Sequence, residues 1–235
     1  MAERFYCPKL VSGEVELDAQ EAHHVRVSRH RPGDSVVLFD GHGREAAAQI
    51  VALDRRSVRV RIRRIVARDR ELPGRIVLCV PAPQGERQRW LVEKATELGV
   101  AELRWLVTER TDVHSRRVRL DRFHRWIIEA CKQCGRNCLM EVHPPESWQV
   151  VAEAVAKRAD ACVLCDASGQ RVADLGMTGR PRVAAVAVGP EGGWTEAELR
   201  AAREGGWRVL SLGPTVLRTE TAALAAVSIV RTWLG

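Results

Sequence analysis

The run VAAVAVGPEGGWTEAELRAAREGGWRVLSLGPTVLRTETAAL, Val183 to Leu224, decides the fold class. Val183 to Val188 is small and apolar without alternation, as expected of a strand covered on both faces. Gly189-Pro190-Glu191-Gly192-Gly193 then bends the chain, and a helix is expected over Thr195–Glu204 with Thr195 as its N-cap. A second strand, Arg208–Leu212, leads into a second glycine-containing loop at Gly213, and a last helix runs from about Thr219 to Trp233. Strand, irregular loop and helix, twice in succession, indicate an α/β domain with a mostly parallel sheet.

The same alternation extends upstream. Strands are expected at Ile76–Val80, Leu103–Val107 and Ala161–Cys165, and helices at Glu86–Leu98, Leu120–Cys134 and about Trp148–Arg158. Gly99 and Gly135 supply stops for two of the helices. The first seventy or so residues differ: they are strand-like and short of helix. Ser35–Phe39 ends in the turn pair Asp40-Gly41, and Ala46–Val51 alternates. In Ser57–Ile65, Val58, Val60 and Ile62 face one way, while Arg59, Arg61 and Arg63 face the other. Short strands at such spacing suggest a small barrel. A linker at Asp69–Gly74 then divides the chain into residues 1–72 and 73–235.

The 235 residues carry a formal charge of +7 with a pI near 9.4, which favours a polyanionic partner. The surplus is segmental. Arg55–Arg70 holds eight arginines against one acid, and Arg104–Arg136 holds nine basic residues against four acids. From Gln149 onward the balance is ten to nine, so the glycine-rich loops lie in a nearly neutral third. No stretch of about 18 apolar residues appears, and no apolar signal core follows the N-terminus, so a cytoplasmic protein with no membrane association is expected. Seven cysteines in such a chain do not suggest a disulfide framework. The pairs Cys131/Cys134 and Cys162/Cys165 have zinc-like spacing, but residues three apart on a strand point to opposite faces, and Cys131 shares a helical face with Phe123 and Ile127. No metal site is expected.

Two glycine-containing loops at neighbouring strand ends would form the ligand crevice of an open α/β sheet. One such loop alone is equally compatible with a plain turn. Neither carries a Gly-Lys-Ser/Thr ending or a GxGxxG pattern, which weakens a phosphate-binding reading. The last helix is apolar nearly all round, so it is buried or packs against another subunit. Arg218 and Glu220 stand at its start, either as chemistry or as an N-terminal capping pair.

The C-terminal run "VGPEGG…SLGPTVLRTETAAL" resembles the signature of the RsmE family, the 16S ribosomal RNA uridine-N3 methyltransferases of the SPOUT superfamily. "HHVRVSRHRPGDSVVLFDG" (His23–Gly41) is similar to that family's N-terminal PUA-like barrel. "KATELGV" (Lys94–Val100), "ERTDV" (Glu109–Val113) and "EACKQCGRN" (Glu129–Asn137) are similar to its central motifs. Ser28, where leucine is usual, and Met140, where proline is common, depart from the pattern.

The resemblance implies a PUA-like small β-barrel over residues 1–72 and a SPOUT α/β domain over 73–235, with a trefoil knot over about 189–235. It implies S-adenosylmethionine as cofactor, methylation of uridine N3 in 16S ribosomal RNA of the assembled small subunit, and a homodimer through the C-terminal domain. The implied cofactor contacts are Val188, Gly189, Pro190, Glu191, Gly192, Leu212, Gly213, Val216, Leu217, Arg218, Thr219 and Thr221. Backbone groups in such loops suit an adenine edge and an uncharged ribose. Arg218 is expected to orient the uracil carbonyl or stabilise charge on the ring, and Glu220 is a candidate acceptor of the N3 proton. For RNA contacts, Arg26, Arg29, Arg31, Arg59, Arg61, Arg63 and Arg136 are the candidates, although an arginine row on a strand also suits a solvated face. A non-catalytic RNA-binding or ribosome-assembly protein is the alternative reading.

Overall fold

The computed structural model describes residues 2–54, 57–112, 118–177 and 179–235. Arg55, Arg56, Arg116 and Arg117 of the basic segments, and Val113 of the Glu109–Val113 motif, lie outside them. Contacts divide the chain into two compact units, Met1–Glu71 with Ile128–Leu139, and Leu72–Ile127 with Met140–Gly235.

The first unit contains β1 (Arg4–Tyr6), β2 (Gly13–Glu16), α1 (Ala19–Val27), β3 (Ser35–Phe39), β4 (Arg44–Leu53) and β5 (Val58–Ala67). They form a five-stranded mixed sheet in the order β1-β3-β4-β5-β2, with β1 parallel to β3 and the remaining pairs antiparallel. In β5, Val58, Val60 and Ile62 are buried and Arg59, Arg61 and Arg63 exposed, as the alternation predicts. The inward residues pack with Phe5, Leu38, Ile50, Ala22 and Val25.

The N-terminal region is strand-rich and short of helix as expected, but its one helix among the described residues, α1, was not foreseen. Its core face is only Ala22 and Val25, too short an apolar stripe to reveal a helix. The signal that was present is Asp18, whose carboxylate accepts from the Glu21 amide at 2.8 Å.

The second unit holds β6 (Arg75–Val80), α2 (Glu86–Glu97), β7 (Val100–Val107), α3 (Leu120–Cys134), β8 (Glu141–Ser147), α4 (Trp148–Ala156), β9 (Ala161–Gln170), β10 (Val183–Val188), α5 (Glu196–Glu204), β11 (Arg208–Leu210) and α6 (Thr219–Leu234). The last turns of α3 group with the first unit. All strand pairs here are parallel, in the order β11-β9-β10-β6-β7-β8. Trp148, Trp194 and Trp207 pack together against one face, with ring centroids 4.8 and 5.1 Å from Trp148. Helix α6 lies across β10 and β6 and also meets α2. β10 is therefore covered on both sides, which is why its sequence is apolar throughout.

Candidate active site

The carboxyl ends of β9, β10 and β11 meet at two loops, 189–195 after β10 and 211–218 after β11. This is where an open parallel sheet offers backbone groups that no helix or strand has used. The first loop is pinned at both ends. Gly193 N–H donates to the Pro190 carbonyl at 2.8 Å, closing the turn. Thr195 caps α5 reciprocally with Glu198. Trp194 is buried, and its indole N–H donates to the Cys165 carbonyl at 3.0 Å, tying the loop to the middle of β9, where that strand pairs with the end of β10. A Cβ on Gly189 would lie 2.9 Å from that indole nitrogen, so only glycine fits. In the second loop Gly213 has φ +117°, a backbone state closed to ordinary side chains.

Between the loops lies a cavity of about 200 Å³, and beside it a larger chamber of about 470 Å³. Pro190, Glu191 and Thr219 line both. Among the expected cofactor contacts, Val188, Gly189, Pro190, Glu191, Leu212, Gly213, Val216, Leu217 and Thr219 line the smaller cavity. Gly192 lines only the chamber, and Thr221 and Arg218 line neither. Cys165, Asp166, Trp194 and Ala222 also line the cavity and were not foreseen. Burial, with Asp166 beside it, pushes the Cys165 thiol up to about 12, so it is a neutral packing group. Apart from Asp166 and Glu191, the walls are mainly apolar side chains and loop backbone, a composition that fits the adenine and ribose of S-adenosylmethionine.

The chamber carries the charges. Arg87 of α2 lies 3.1 Å from the Glu191 carboxylate and 3.9 Å from Glu220 Oε1. Glu220 is only 5% exposed, and its Oε2 has no hydrogen-bond partner among the described residues. A buried carboxylate oxygen left unpaired is costly, and this one belongs to a residue that lines the chamber. Arg110, from the Glu109–Val113 motif, crosses Gly192 and donates to its carbonyl at 2.8 Å and to that of Trp194 at 3.3 Å. The turn holding Arg110 is fixed by Thr111, whose hydroxyl accepts from the Thr108 amide at 2.8 Å.

Two expectations change here. Arg218 is the N-cap residue of α6, extended at φ −64° and ψ 151°, with an exposed side chain. It does not face the chamber; Arg87 and Arg110 supply the guanidinium groups there instead. Arg136 is no surface cation, being 5% exposed, with its guanidinium on both oxygens of Glu71 at 3.1 and 2.5 Å. Burial is the largest single influence and opposes its charge, but the hydrogen bond and negative charge of Glu71, with smaller contributions from Cys131 and Cys134, together outweigh it and raise the pKa. Arg29, Arg31, Arg59, Arg61 and Arg63 are exposed and Arg26 is half-buried, all in the first unit. Cys162 and Cys165 point to opposite faces as expected, Cys162 into the core cluster and Cys165 to the cavity, whereas of the helical pair Cys131 is buried and Cys134 exposed.

Comparison with known proteins agrees with this arrangement. Residues 70–231 match the model of an RNA methyltransferase domain, and residues 17–63 that of an RNA methyltransferase PUA domain. Ribosomal RNA small subunit methyltransferase E of Synechocystis is 30% identical, over 94% of this chain and 73% of the relative. The Neisseria gonorrhoeae ribosomal RNA small subunit methyltransferase E, solved bound to S-adenosyl methionine, superposes with a TM-score of 0.86 at 33% identity. The alignment covers 99% of this chain and 98% of that one. A Legionella pneumophila methyltransferase solved with its cofactor SAM gives 0.85 at 33% identity, over the same shares of both chains. With its catalytic-domain model spanning residues 70–231 and full-length relatives of one kind, the chain belongs to the RsmE family of ribosomal RNA small subunit methyltransferases.

Proposed function

We propose that this protein methylates N3 of a uridine in 16S ribosomal RNA of the small subunit, using S-adenosylmethionine. The observation that carries the reading is the pairing of a cavity walled largely by apolar side chains and loop backbone with an adjoining chamber lined by the buried Glu220, one oxygen of which is unpartnered among the described residues. A protein that only bound RNA would have no use for a buried, unpaired carboxylate beside such a cavity. The relatives solved with S-adenosylmethionine support the choice of cofactor.

When bound, the cofactor supplies a methyl group already activated by its positively charged sulfur. The residues then have to hold the cofactor, orient the base and take a proton. The cavity-lining residues, with Gly192 and Thr221 at its edge, are the proposed holders; Glu220 is the proposed proton acceptor. Arg218, outside both cavities, is left to contacts at the rim. N3 lies on the Watson–Crick edge, so the target base has to be unpaired and turned out. Exposed Arg29, Arg31, Arg59, Arg61 and Arg63, with Arg26, are proposed to hold RNA phosphates.

The proposal extends to architecture. The division into residues 1–72 and 73–235 is retained, with the five-stranded sheet closing as a PUA-like barrel. A trefoil knot over about 189–235 is supported by the passage of the chain from β10 across β9 to β11 and its return as α6 onto β10 and β6. Close backbone approach there is visible at Gly169, where a Cβ would lie 2.5 Å from the Leu210 carbonyl carbon. No described helix is long and apolar enough to cross a membrane, which fits the proposed cytoplasmic setting.

Titration calorimetry with S-adenosylmethionine is expected to give one site per chain. Small subunits from a strain lacking the activity should accept one labelled methyl group and gain one reverse-transcription stop at a uridine. Absence of cofactor binding, or an unchanged stop pattern, overturns the assignment.

A further inference from the structure

We infer that the chamber around Arg87 and Glu220 is the pocket that reads the target base, and that it selects uracil over cytosine through the imide edge. The inference rests on the methyltransferase reading above and adds the base-binding site to it. Uracil presents one donor, N3–H, between two carbonyl acceptors. The chamber is lined by the complementary set: the Glu220 carboxylate as acceptor, one oxygen of which has no partner among the described residues, with the Arg87 guanidinium 3.9 Å from the other. A base entering with N3–H toward the Glu220 carboxylate places a flanking carbonyl within the reach of Arg87. Arg110 and Gln84 line the same chamber and offer further donors to the second carbonyl. Cytosine inverts this pattern. Its N3 is an acceptor that would face the carboxylate lone pairs, and its exocyclic amino group would face the guanidinium donors.

The chamber shares Pro190, Glu191 and Thr219 with the cofactor cavity, so a base held there lies against the loop that lines both. The step balances as follows. The N3 proton passes to Glu220, and the freed nitrogen pair forms the bond to the methyl carbon. The bond from that carbon to sulfur breaks, its electron pair staying on sulfur, and Glu220 afterwards releases its proton to water. Charge that builds on the ring during proton loss is met by Arg87. In the absence of base, Arg87 rests on Glu191, 71% exposed at its side chain, a surface pair that an incoming base can displace cheaply.

The test uses the full chain with small subunits as substrate. Glu220→Gln removes the proton acceptor and keeps the side-chain volume. Methyl transfer at neutral pH is expected to fall by about 100- to 10,000-fold. Its rate should recover as the pH rises and the imide ionises by itself in solution, giving a pH profile displaced upward from that of the wild type. Arg87→Gln alters a half-exposed residue and so keeps the fold; a loss of about 100-fold or more is expected. Both variants should bind S-adenosylmethionine within about threefold of wild type, a readout independent of turnover. Transfer within threefold of wild type for both variants, with an unmoved pH profile, overturns the base pocket and leaves the methyltransferase standing. A wild-type chain that fails to bind S-adenosylmethionine overturns both.

Discussion

Arg29 has a φ of +60°, the sole non-glycine described residue in the left-handed region. It follows the C-cap of α1, a position that glycine usually takes, and its amide donates to the Arg26 carbonyl at 3.0 Å. Holding a residue with a Cβ there costs about 1 kcal/mol, so a side-chain role is the reason to keep arginine. Arg29→Gly is expected to raise unfolding free energy by about that amount. It should also lower the slope of log K against log salt for ribosomal RNA by about 0.7 to 0.9, the loss of one phosphate contact. Denaturant titration and binding at several salt concentrations test both, and an unchanged salt slope removes Arg29 from the RNA surface. The sequence marked Arg29 as a candidate but could not show its conformation. Arg136 looked the same in sequence, but its burial depends on Glu71, 65 residues away, and no local pattern encodes such a partner. Ser28, a departure from the family pattern, donates to Glu3 at 2.6 Å and so replaces an apolar contact with a polar one.

Elements were legible where their periodicity was strong and their caps were local. β5 alternates, α3 has a clear apolar stripe and α5 begins at Thr195, and each forms where the pattern indicates. β8 was not foreseen because Pro144 and Pro145 argue against a strand; it is the outermost strand of its sheet, where missing donors can be tolerated. The loop after β10 was legible as a ligand loop from its glycines, but the reason for Gly189 was not. It needs Trp194, five residues later, folded back against it. Gly189→Ala pushes the indole off the Cys165 carbonyl, and overpacking of this kind costs about 1–3 kcal/mol. S-adenosylmethionine affinity is expected to fall at least about tenfold, since about 1.4 kcal/mol of loop distortion is enough for that. Calorimetry on the variant decides it, with wild-type affinity as the contrary outcome. Arg87 and Arg110 were missed for a related reason. They reach the chamber from α2 and from the turn after β7, and which strands neighbour β10 cannot be read from a single chain.

For the whole molecule, the parallel order β11-β9-β10-β6-β7-β8 brings together three strand ends separated by long stretches of sequence, and that order was inaccessible to periodicity. What periodicity did indicate was an excess of apolar surface on the last helix. α6 buries Ala222, Ala223, Ala226, Val227 and Val230, while Leu224, Ile229 and Trp233 stay half-exposed. α2, which packs on α6, presents Trp90 with 44% of its surface exposed. An indole and three apolar side chains on adjoining helices are the kind of centre around which specific interfaces form. They support the homodimer through the C-terminal domain that the family resemblance implies. The wild type is then expected to sediment at twice its chain mass of 26.2 kDa at micromolar concentration. Trp90→Glu places a charge where the partner's apolar surface would lie, and loss of such an anchor costs about 2 kcal/mol or more. That corresponds to a dissociation constant raised by at least about thirtyfold. Sedimentation equilibrium across a dilution series measures it directly. A variant that dimerises as tightly as the wild type would show that Trp90 lies outside the contact, and a monomeric wild type would show that these helices meet no second copy. Because Trp90 is three residues from Arg87 on α2, a dimer built on this face would also steady the helix that carries the chamber's guanidinium, so monomeric variants should lose methyl transfer before they lose cofactor binding.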